Sequence, residues 1–318
     1  MRQSPNSDGP CLLVTGGCGY IGANLIHVLS ERGYKIKVLD DFSSGFAERL
    51  IGYEVEIIQG SMLDAKSLNA SLTGVDLVVH LAAKKSVVES QKRPEYYFEQ
   101  NVIATNCLLK EMVRHSISQL IFASTAAVYA PNNAIVNELD PIAPMSVYGE
   151  TKIQNEVDIL QYVSLGINSS IFRFANVLGA INGLKDSSGS NLLMSSISRT
   201  QLGLPLQIYG DDYETPDGTC VRDFIHIADL VDAIVIQIEI GIDNGCKTFN
   251  LGTGVGTSVK IFLENYMKVV KGQKLVIGPR QDGDLPFSIL DPSSYQAHTK
   301  WRAKRDIVDM ITSSMNLG

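Results

Sequence analysis

The sequence predicts an α/β chain, with a doubly wound parallel sheet and a smaller mixed α/β domain interleaved with its end. Three observations lead there. Short apolar runs alternate with helix-periodic stretches through the first half. The first of these runs feeds a glycine-rich turn that opens a helix. Near Asn176 the alternation breaks into polar, glycine-rich loops.

Taken in order, Cys11–Thr15 (CLLVT) reads as a short buried strand, and the apolar period from Ile21 to Leu29 as a helix. Lys35–Leu39 is a second strand, ending at Asp40. Further strands are expected at Val55–Ile58, Leu77–His80, Leu120–Ala123 and Ser170–Phe174, with helices at Asp64–Leu72, Tyr96–His115 and Tyr148–Val163. Then come a loop at Gly179–Gly189, a helix at Asn191–Leu202 and a second loop at Gly210–Cys220. A short strand precedes a helix over Phe224–Glu239, Phe249–Leu251 is a last strand, and Pro292–Met315 holds small helices. The expected division is 1–174 with 221–248 as a first domain, and 175–220 with 249–318 as a second.

A chain of 318 residues, 45% hydrophobic and 19% charged, can bury a large core. The net charge of −7 and the lack of a basic run argue against a nucleic-acid partner. Five cysteines show no paired metal spacing, which fits a reducing, cytoplasmic compartment without disulfides. Residues 1–9 are polar and lack the apolar core of a signal peptide, and no run is long enough to span a membrane.

Three motifs carry chemistry. Gly16, Gly19 and Gly22 have the spacing G-x-x-G-x-x-G between a strand and a helix. Such a turn lets backbone approach a pyrophosphate, and the helix N-terminus offers N–H groups and a positive dipole end. Asp40, closing the second strand, suits the adenosine ribose diol and would repel a 2′-phosphate, which favours NAD over NADP. Tyr148 and Lys152 stand at i, i+4, so a helix puts a phenol and an ammonium on one face. A fixed cation there is expected to pull the phenol pKa towards neutrality and suit it to proton transfer at a hydroxyl. Thr125 ends a strand and could hydrogen-bond a substrate oxygen. Each motif has a plain structural alternative: an ordinary turn, a solvated helix face, a Ser/Thr-capped strand end. Their order along one chain favours the functional reading.

With these motifs in order, the chain resembles the extended short-chain dehydrogenase/reductase family from about Cys11 to Met310, and within it the UDP-galactose 4-epimerase branch. The segments that carry the closer likeness are Leu206-Gln-Ile-Tyr-Gly-Asp-Asp-Tyr213, Asp217-Gly-Thr-Cys-Val-Arg-Asp-Phe-Ile-His226, Asn250-Leu-Gly-Thr-Gly254 and Gly283-Asp-Leu-Pro286. The resemblance implies a Rossmann-type first domain, a UDP-sugar-binding second domain, and NAD that stays bound while a 4-keto sugar forms and is reduced on its other face. It gives Tyr148 the proton transfer, Thr125 the 4-oxygen and Lys152 the nicotinamide ribose. Gly16, Gly19, Tyr20, Ile21, Gly22, Asp40, Met62, Lys85 and Asn101 would line the cofactor site, with Lys84 facing solvent. Asn176, Asn191 and Arg222 would meet the diphosphate, Tyr209 the uracil and Asp284 the uridine ribose, with Lys85 also near substrate. A homodimer through the helices near Tyr96–His115 and Tyr148–Val163 is implied as well.

Four residues depart from the family pattern. Ser61 stands where an aspartate commonly faces adenine, Ala130 replaces a glycine, and Gln281 replaces a second phosphate-binding arginine. Ser288 stands where strict UDP-galactose/UDP-glucose enzymes of the family carry a bulky tyrosine, so the resemblance implies a larger pocket, expected to take N-acetylated UDP-hexosamines as well. The rival readings are a dehydratase or decarboxylase, a ketoreductase, and an NAD-binding sensor without turnover. Ala126 and Ala127 leave elimination chemistry without the carboxylate it needs after Thr125.

Overall fold

A computed structural model describes residues 9–131, 135–189, 191–281 and 283–315. Of the polar tail 1–9, residues 1–8 lie outside the described residues. The strands in chain order are β1 (Cys11–Thr15), β2 (Lys35–Asp40), β3 (Glu56–Gln59), β4 (Leu77–His80), β5 (Gln119–Thr125), β6 (Ile135–Val136), β7 (Asn168–Phe174), β8 (Asn176–Leu178), β9 (Leu206–Tyr209), β10 (Val221–His226), β11 (Cys246–Leu251), β12 (Gly256–Ser258), β13 (Leu275–Gly278) and β14 (Phe287–Leu290).

Seven of these form one sheet in the order β11-β7-β5-β4-β1-β2-β3. Its pairs are parallel from β3 through β2, β1 and β4 to β5. The order reverses direction beside β1, so the ends of β1 and β4 flank a crevice of the kind that holds ligands in doubly wound sheets. The expected α/β class is therefore the observed one. The smaller sheets are β12-β10-β14-β6, with β8 on β10, and the pair β13-β9.

The chain separates into two compact units. The first holds 1–128, 146–173 and 234–248; the second holds 129–145, 174–233 and 249–318. Segments 129–145 and 221–233 thus group with the second unit, where the sequence reading placed them in the first. Each unit has its own core. Leu13, Val78, Leu108, Leu120 and Ile159 are buried in the first, and Leu193, Leu206, Phe224, Phe262 and Met310 in the second.

Local departures have physical causes. The helix expected over Tyr96–His115 is three pieces: Pro94–Tyr97, a π-helical turn at Phe98–Ile103, and Ala104–Arg114. Such a turn widens the helix and re-aims the residues it carries, here Asn101. Phe224 lies in β10 rather than in a helix; the helix starts at Ile227. A buried strand reads as a continuous apolar run, which periodicity alone does not separate from the start of a buried helix. The helix Val259–Val269 and the strands β6, β8, β9, β12, β13 and β14 were not anticipated, whereas the short strand before the helix at Ile227 and the strand at Phe249–Leu251 were.

Candidate active site

In the first unit the glycine turn has the conformation a pyrophosphate cradle requires. Gly16 has φ +68°, and a Cβ there would lie 2.8 Å from the Ala82 backbone. A Cβ on Gly22 would lie 2.4 Å from the Gly16 carbonyl oxygen, so only glycine lets the helix press onto the turn. The helix Tyr20–Glu31 begins after Gly19, with no side-chain cap on its first turn. Tyr20, Ile21 and Gly22 form that first turn. Asp40 closes β2 beside it. Its carboxylate accepts from Cys18 N–H at 2.9 Å and Phe42 N–H at 2.8 Å, and burial pushes its pKa up. These bonds tie the acid to the glycine turn and leave acceptor capacity for a diol. The residues present therefore fit an adenosine diphosphate group.

Around this turn, Met62 is part of the core of the first unit. Asn101 is buried and bonds both Lys84 backbone groups, accepting from N–H at 2.8 Å and donating to C=O at 3.0 Å. Its amide also donates to Thr151 Oγ1 at 3.0 Å, tying the segment with Lys84 and Lys85 to the helix of Tyr148. Lys85 is exposed. Lys84 corrects the expectation that it faces solvent. Its ammonium lies 3.6 Å from Asp41 and donates to Ser43, because the acidic turn after β2 attracts it. Ser61 turns inward on its own segment and accepts from Leu63 N–H.

His80, at the end of β4, was not singled out from the sequence. It is buried between Thr15 Oγ1 at 2.7 Å and Thr105 Oγ1 at 2.9 Å. Thr105 donates to the Asn101 carbonyl, so it accepts from His80 Nε2–H, and His80 Nδ1 accepts from Thr15. Burial, with the Lys152 charge, holds His80 down at about 3, so the ring is neutral. This network joins the strand before the glycine turn to the π-helical turn.

The helix Val147–Tyr162 starts at Ser146, whose hydroxyl accepts from Gly149 N–H. It carries Tyr148 and Lys152 one turn apart, as the spacing predicts. The strand end at β5 meets them. Thr125 hydrogen-bonds the Tyr148 phenol, and the Lys152 ammonium donates to the Ala123 carbonyl at 2.7 Å. Thr125, Tyr148 and Lys152 are thus brought together.

Their electrostatics differ from expectation. The phenol of Tyr148 is pushed up to about 12, by burial first, while the Thr125 hydrogen bond opposes the rise. Lys152 is pulled down to about 7 by burial, against the charge of Glu156. The expected lowering of Tyr148 by Lys152 is therefore not what this structure shows. The ammonium is turned to the Ala123 carbonyl and lies 4.7 Å from the Phe122 ring. Desolvation outweighs the attraction expected from spacing alone.

In the second unit, Asn176, Asn191, Tyr209, Arg222 and Asp284 line one cavity of about 440 Å³. Arg222 donates to the Leu285 carbonyl at 2.6 Å and pairs with Asp284 at 3.2 Å. The adjacent Asp223 points elsewhere, accepting from Thr253, Gly254 and Leu290. Asn176 donates to the Asp223 carbonyl, and Asn191 caps the helix Leu192–Gln201 through Met194 N–H. Gln281 lines the same cavity. Arg280 is drawn away by Asp212 at 2.6 Å and stacks on Tyr213 at 4.2 Å. Ser288 sits in β14 opposite Arg222 and is not among the residues lining the cavity. Leu192, Ser195 and Arg199 also line it. Their i, i+3, i+7 spacing on one helix face was a readable signal. Among the described residues there is no metal-binding cluster, and no helix is long and apolar enough to cross a membrane.

The comparisons with known proteins agree with this geometry. The model of the "NAD dependent epimerase/dehydratase family" matches residues 12–252. A UDP-glucose 4-epimerase of Halalkalibacterium halodurans is 37% identical over 92% of this chain and 90% of its own length. A crystal structure of UDP-glucose 4-epimerase from Stenotrophomonas maltophila, with bound NAD and formylated UDP-arabinopyranose, superposes with a TM-score of 0.89. It is 31% identical, and the match covers 96% of this chain and 97% of that one. The Bifidobacterium longum UDP-glucose 4-epimerase, in complex with NAD+ and UDP, gives a TM-score of 0.88 at 33% identity, over 96% and 97% of the two chains. The glycine cradle, the Thr125, Tyr148 and Lys152 cluster and these matches lead to one conclusion: the chain belongs to the NAD dependent epimerase/dehydratase family, in its extended short-chain dehydrogenase/reductase form.

Proposed function

We propose that this chain is an NAD-dependent UDP-hexose 4-epimerase that interconverts UDP-galactose and UDP-glucose. The observation that carries the reading is the Thr125, Tyr148 and Lys152 cluster at the end of β5, in a chain that also holds the glycine cradle. Gly16, Gly19, Gly22 and the first turn at Tyr20 and Ile21 would hold the NAD pyrophosphate, and Asp40 the adenosine ribose. Bound NAD would supply the hydride acceptor and donor. Tyr148 takes the proton from the sugar 4-hydroxyl and returns it. Thr125 orients the sugar oxygen and, by its hydrogen bond, favours the phenolate. Lys152 brings a buried cation. The cavity of Asn176, Asn191, Tyr209, Arg222 and Asp284 would hold the UDP portion, with Arg222 suited to phosphate by its planar fork.

A C4-deuterated UDP-glucose tests the mechanism. The label should remain at C4 of the UDP-galactose formed. Release of water from the sugar, with the label carried to another carbon, would favour the dehydratase reading.

Ser288, small and opposite Arg222 in the pair β10–β14, supports turnover of UDP-GalNAc and UDP-GlcNAc as well, at a position outside the cavity of the UDP portion. Ser288→Tyr should then abolish turnover of UDP-GalNAc and spare UDP-galactose; equal loss on both would sink the idea. A homodimer is supported by exposed Phe98 and Ile103 on the π-helical turn and exposed Val157 and Leu160 on the Tyr148 helix. Light scattering should give twice the 34.6 kDa chain mass. Five free cysteines support the cytoplasmic assignment.

A further inference from the structure

The helix Val147–Tyr162 presents Tyr148, Lys152 and Glu156 at successive turns, and consecutive residues of β5 meet all three. The Phe122 ring lies under the Lys152 ammonium, and the Ala123 carbonyl accepts from it. The Ser124 hydroxyl donates to Glu156 Oε1 at 2.5 Å, and Thr125 bonds Tyr148. Arg173, from β7, clamps the same carboxylate with Nε–Oε1 at 3.1 Å and a second bond to Oε2 at 2.6 Å. Ser124, Glu156 and Arg173 are all buried, and the reaction as read so far uses none of them.

We propose that Glu156 is a positioning residue: clamped by Arg173 and Ser124, its carboxylate keeps the buried Lys152 ammonium charged and fixes the strand end that carries Thr125. The proposal rests on the reading of Tyr148 and Lys152 as the reacting pair.

The surroundings of Lys152 make a fixed carboxylate necessary. From its own helix it is acted on by Glu156, and from β5 it meets the Phe122 ring and the Ala123 carbonyl. From β4 it faces His80, which is neutral. An ammonium buried among an aromatic ring, a carbonyl and neutral side chains favours losing its proton. Glu156 is the charge that opposes this. Arg173 binds the carboxylate bidentately, which keeps it ionised and sets its direction one turn from Lys152. The Ser124 bond matters for a second reason. It pins the residue between the Lys152 acceptor and Thr125, so strand and helix keep one register.

A buried ion pair kept only for folding is the competing explanation, and a direct titration separates the two. The holoenzyme is labelled with [13Cε]lysine, and Lys152, assigned by Lys152→Met, is titrated by NMR in wild type and Glu156→Gln. The amide keeps acceptor and shape but removes the charge. Its Lys152 pKa should fall by about one unit. With UDP-galactose, kcat near neutral pH should fall about fivefold, KM should hold within about twofold, and the alkaline limb of kcat should move down by about one pH unit. A folded Glu156→Gln whose Lys152 titration and alkaline limb match wild type overturns the proposal. If that variant does not fold, Glu156→Gln with Arg173→Met carries the test, because no buried guanidinium is orphaned. Wild-type titration in this folded pair would likewise overturn it. The NMR titration needs no sugar turnover, so failure of the epimerase reading and failure of this proposal are distinguishable.

Discussion

The two units handle charge in opposite ways. In the first, burial moves the ionisable groups away from their ordinary values: Tyr148 is pushed up to about 12, which holds its proton, and Lys152 down to about 7, which brings its charge into the neutral range. In the second, the cavity residues stay half-open and paired, as Arg222 does with Asp284 at 3.2 Å. A buried ammonium near neutrality beside a desolvated phenol responds to any charge brought into the site, whereas a hydrogen-bonded arginine lining a cavity is poised to bind an anion. The first unit therefore looks built for chemistry and the second for recognition.

Substitutions that separate rate from affinity test this contrast. Tyr148→Phe removes the proton carrier and should lower kcat by about a thousandfold, within the range for general acid–base groups. UDP affinity, read by calorimetry, should not change. A large loss of UDP binding in that variant would break the contrast. Arg222→Gln should weaken UDP binding by roughly 10–100-fold, as expected for a charge-assisted phosphate contact, and leave kcat within a few-fold. Uridine affinity should change far less, because it lacks the diphosphate.

Gly22→Ala sharpens the picture within the first unit. Its Cβ would meet the Gly16 carbonyl oxygen at 2.4 Å, so the helix must shift off the turn. An overpacking cost of about 1–3 kcal/mol should reduce the NAD retained on purification by about tenfold or more. The measurement is the 260 nm absorbance of the acid-released nucleotide.

The smallest effect is on stability, and here the units should behave alike. His80 is held at about 3 and His226 at about 4, both chiefly by burial. An unfolded histidine titrates near 6.5, so below that pH the unfolded chain binds more protons than the folded one. Stability is therefore lost as pH falls from about 6.5, by about 2 kcal/mol for each histidine at pH 5. Thermal melts should fall by several degrees between pH 7 and 5, and His80→Asn should remove part of that slope. A melting temperature that does not change over this range would contradict the buried, neutral state of both rings.

The same contrast explains what was legible in the sequence. The glycine turn, Asp40 and the Tyr148/Lys152 spacing are local patterns whose geometry follows from a strand, a turn or a helix period, and the first unit places them as expected. The proton energetics were not legible. The direction of the Tyr148 shift depends on how deeply the fold buries the group, and spacing along a helix does not report that. The roles of His80 and Glu156 were hidden for a related reason. Their partners Thr15, Thr105 and Arg173 come from distant segments. In the second unit the cavity draws on β8, β9, β10, the helix Leu192–Gln201 and the segment with Gln281 and Asp284. No local period joins these pieces, so only the resemblance brought Asn176, Asn191, Tyr209, Arg222 and Asp284 together. It did not find Leu192, Ser195 or Arg199.

The most direct test adds no NAD. Purified protein is incubated with UDP-galactose alone, beside the Tyr148→Phe variant, and the 4-epimers are resolved by NMR. The account predicts UDP-glucose approaching equilibrium with wild type and almost none with the variant. No conversion by wild type that carries bound NAD, or equal conversion by both proteins, would contradict it.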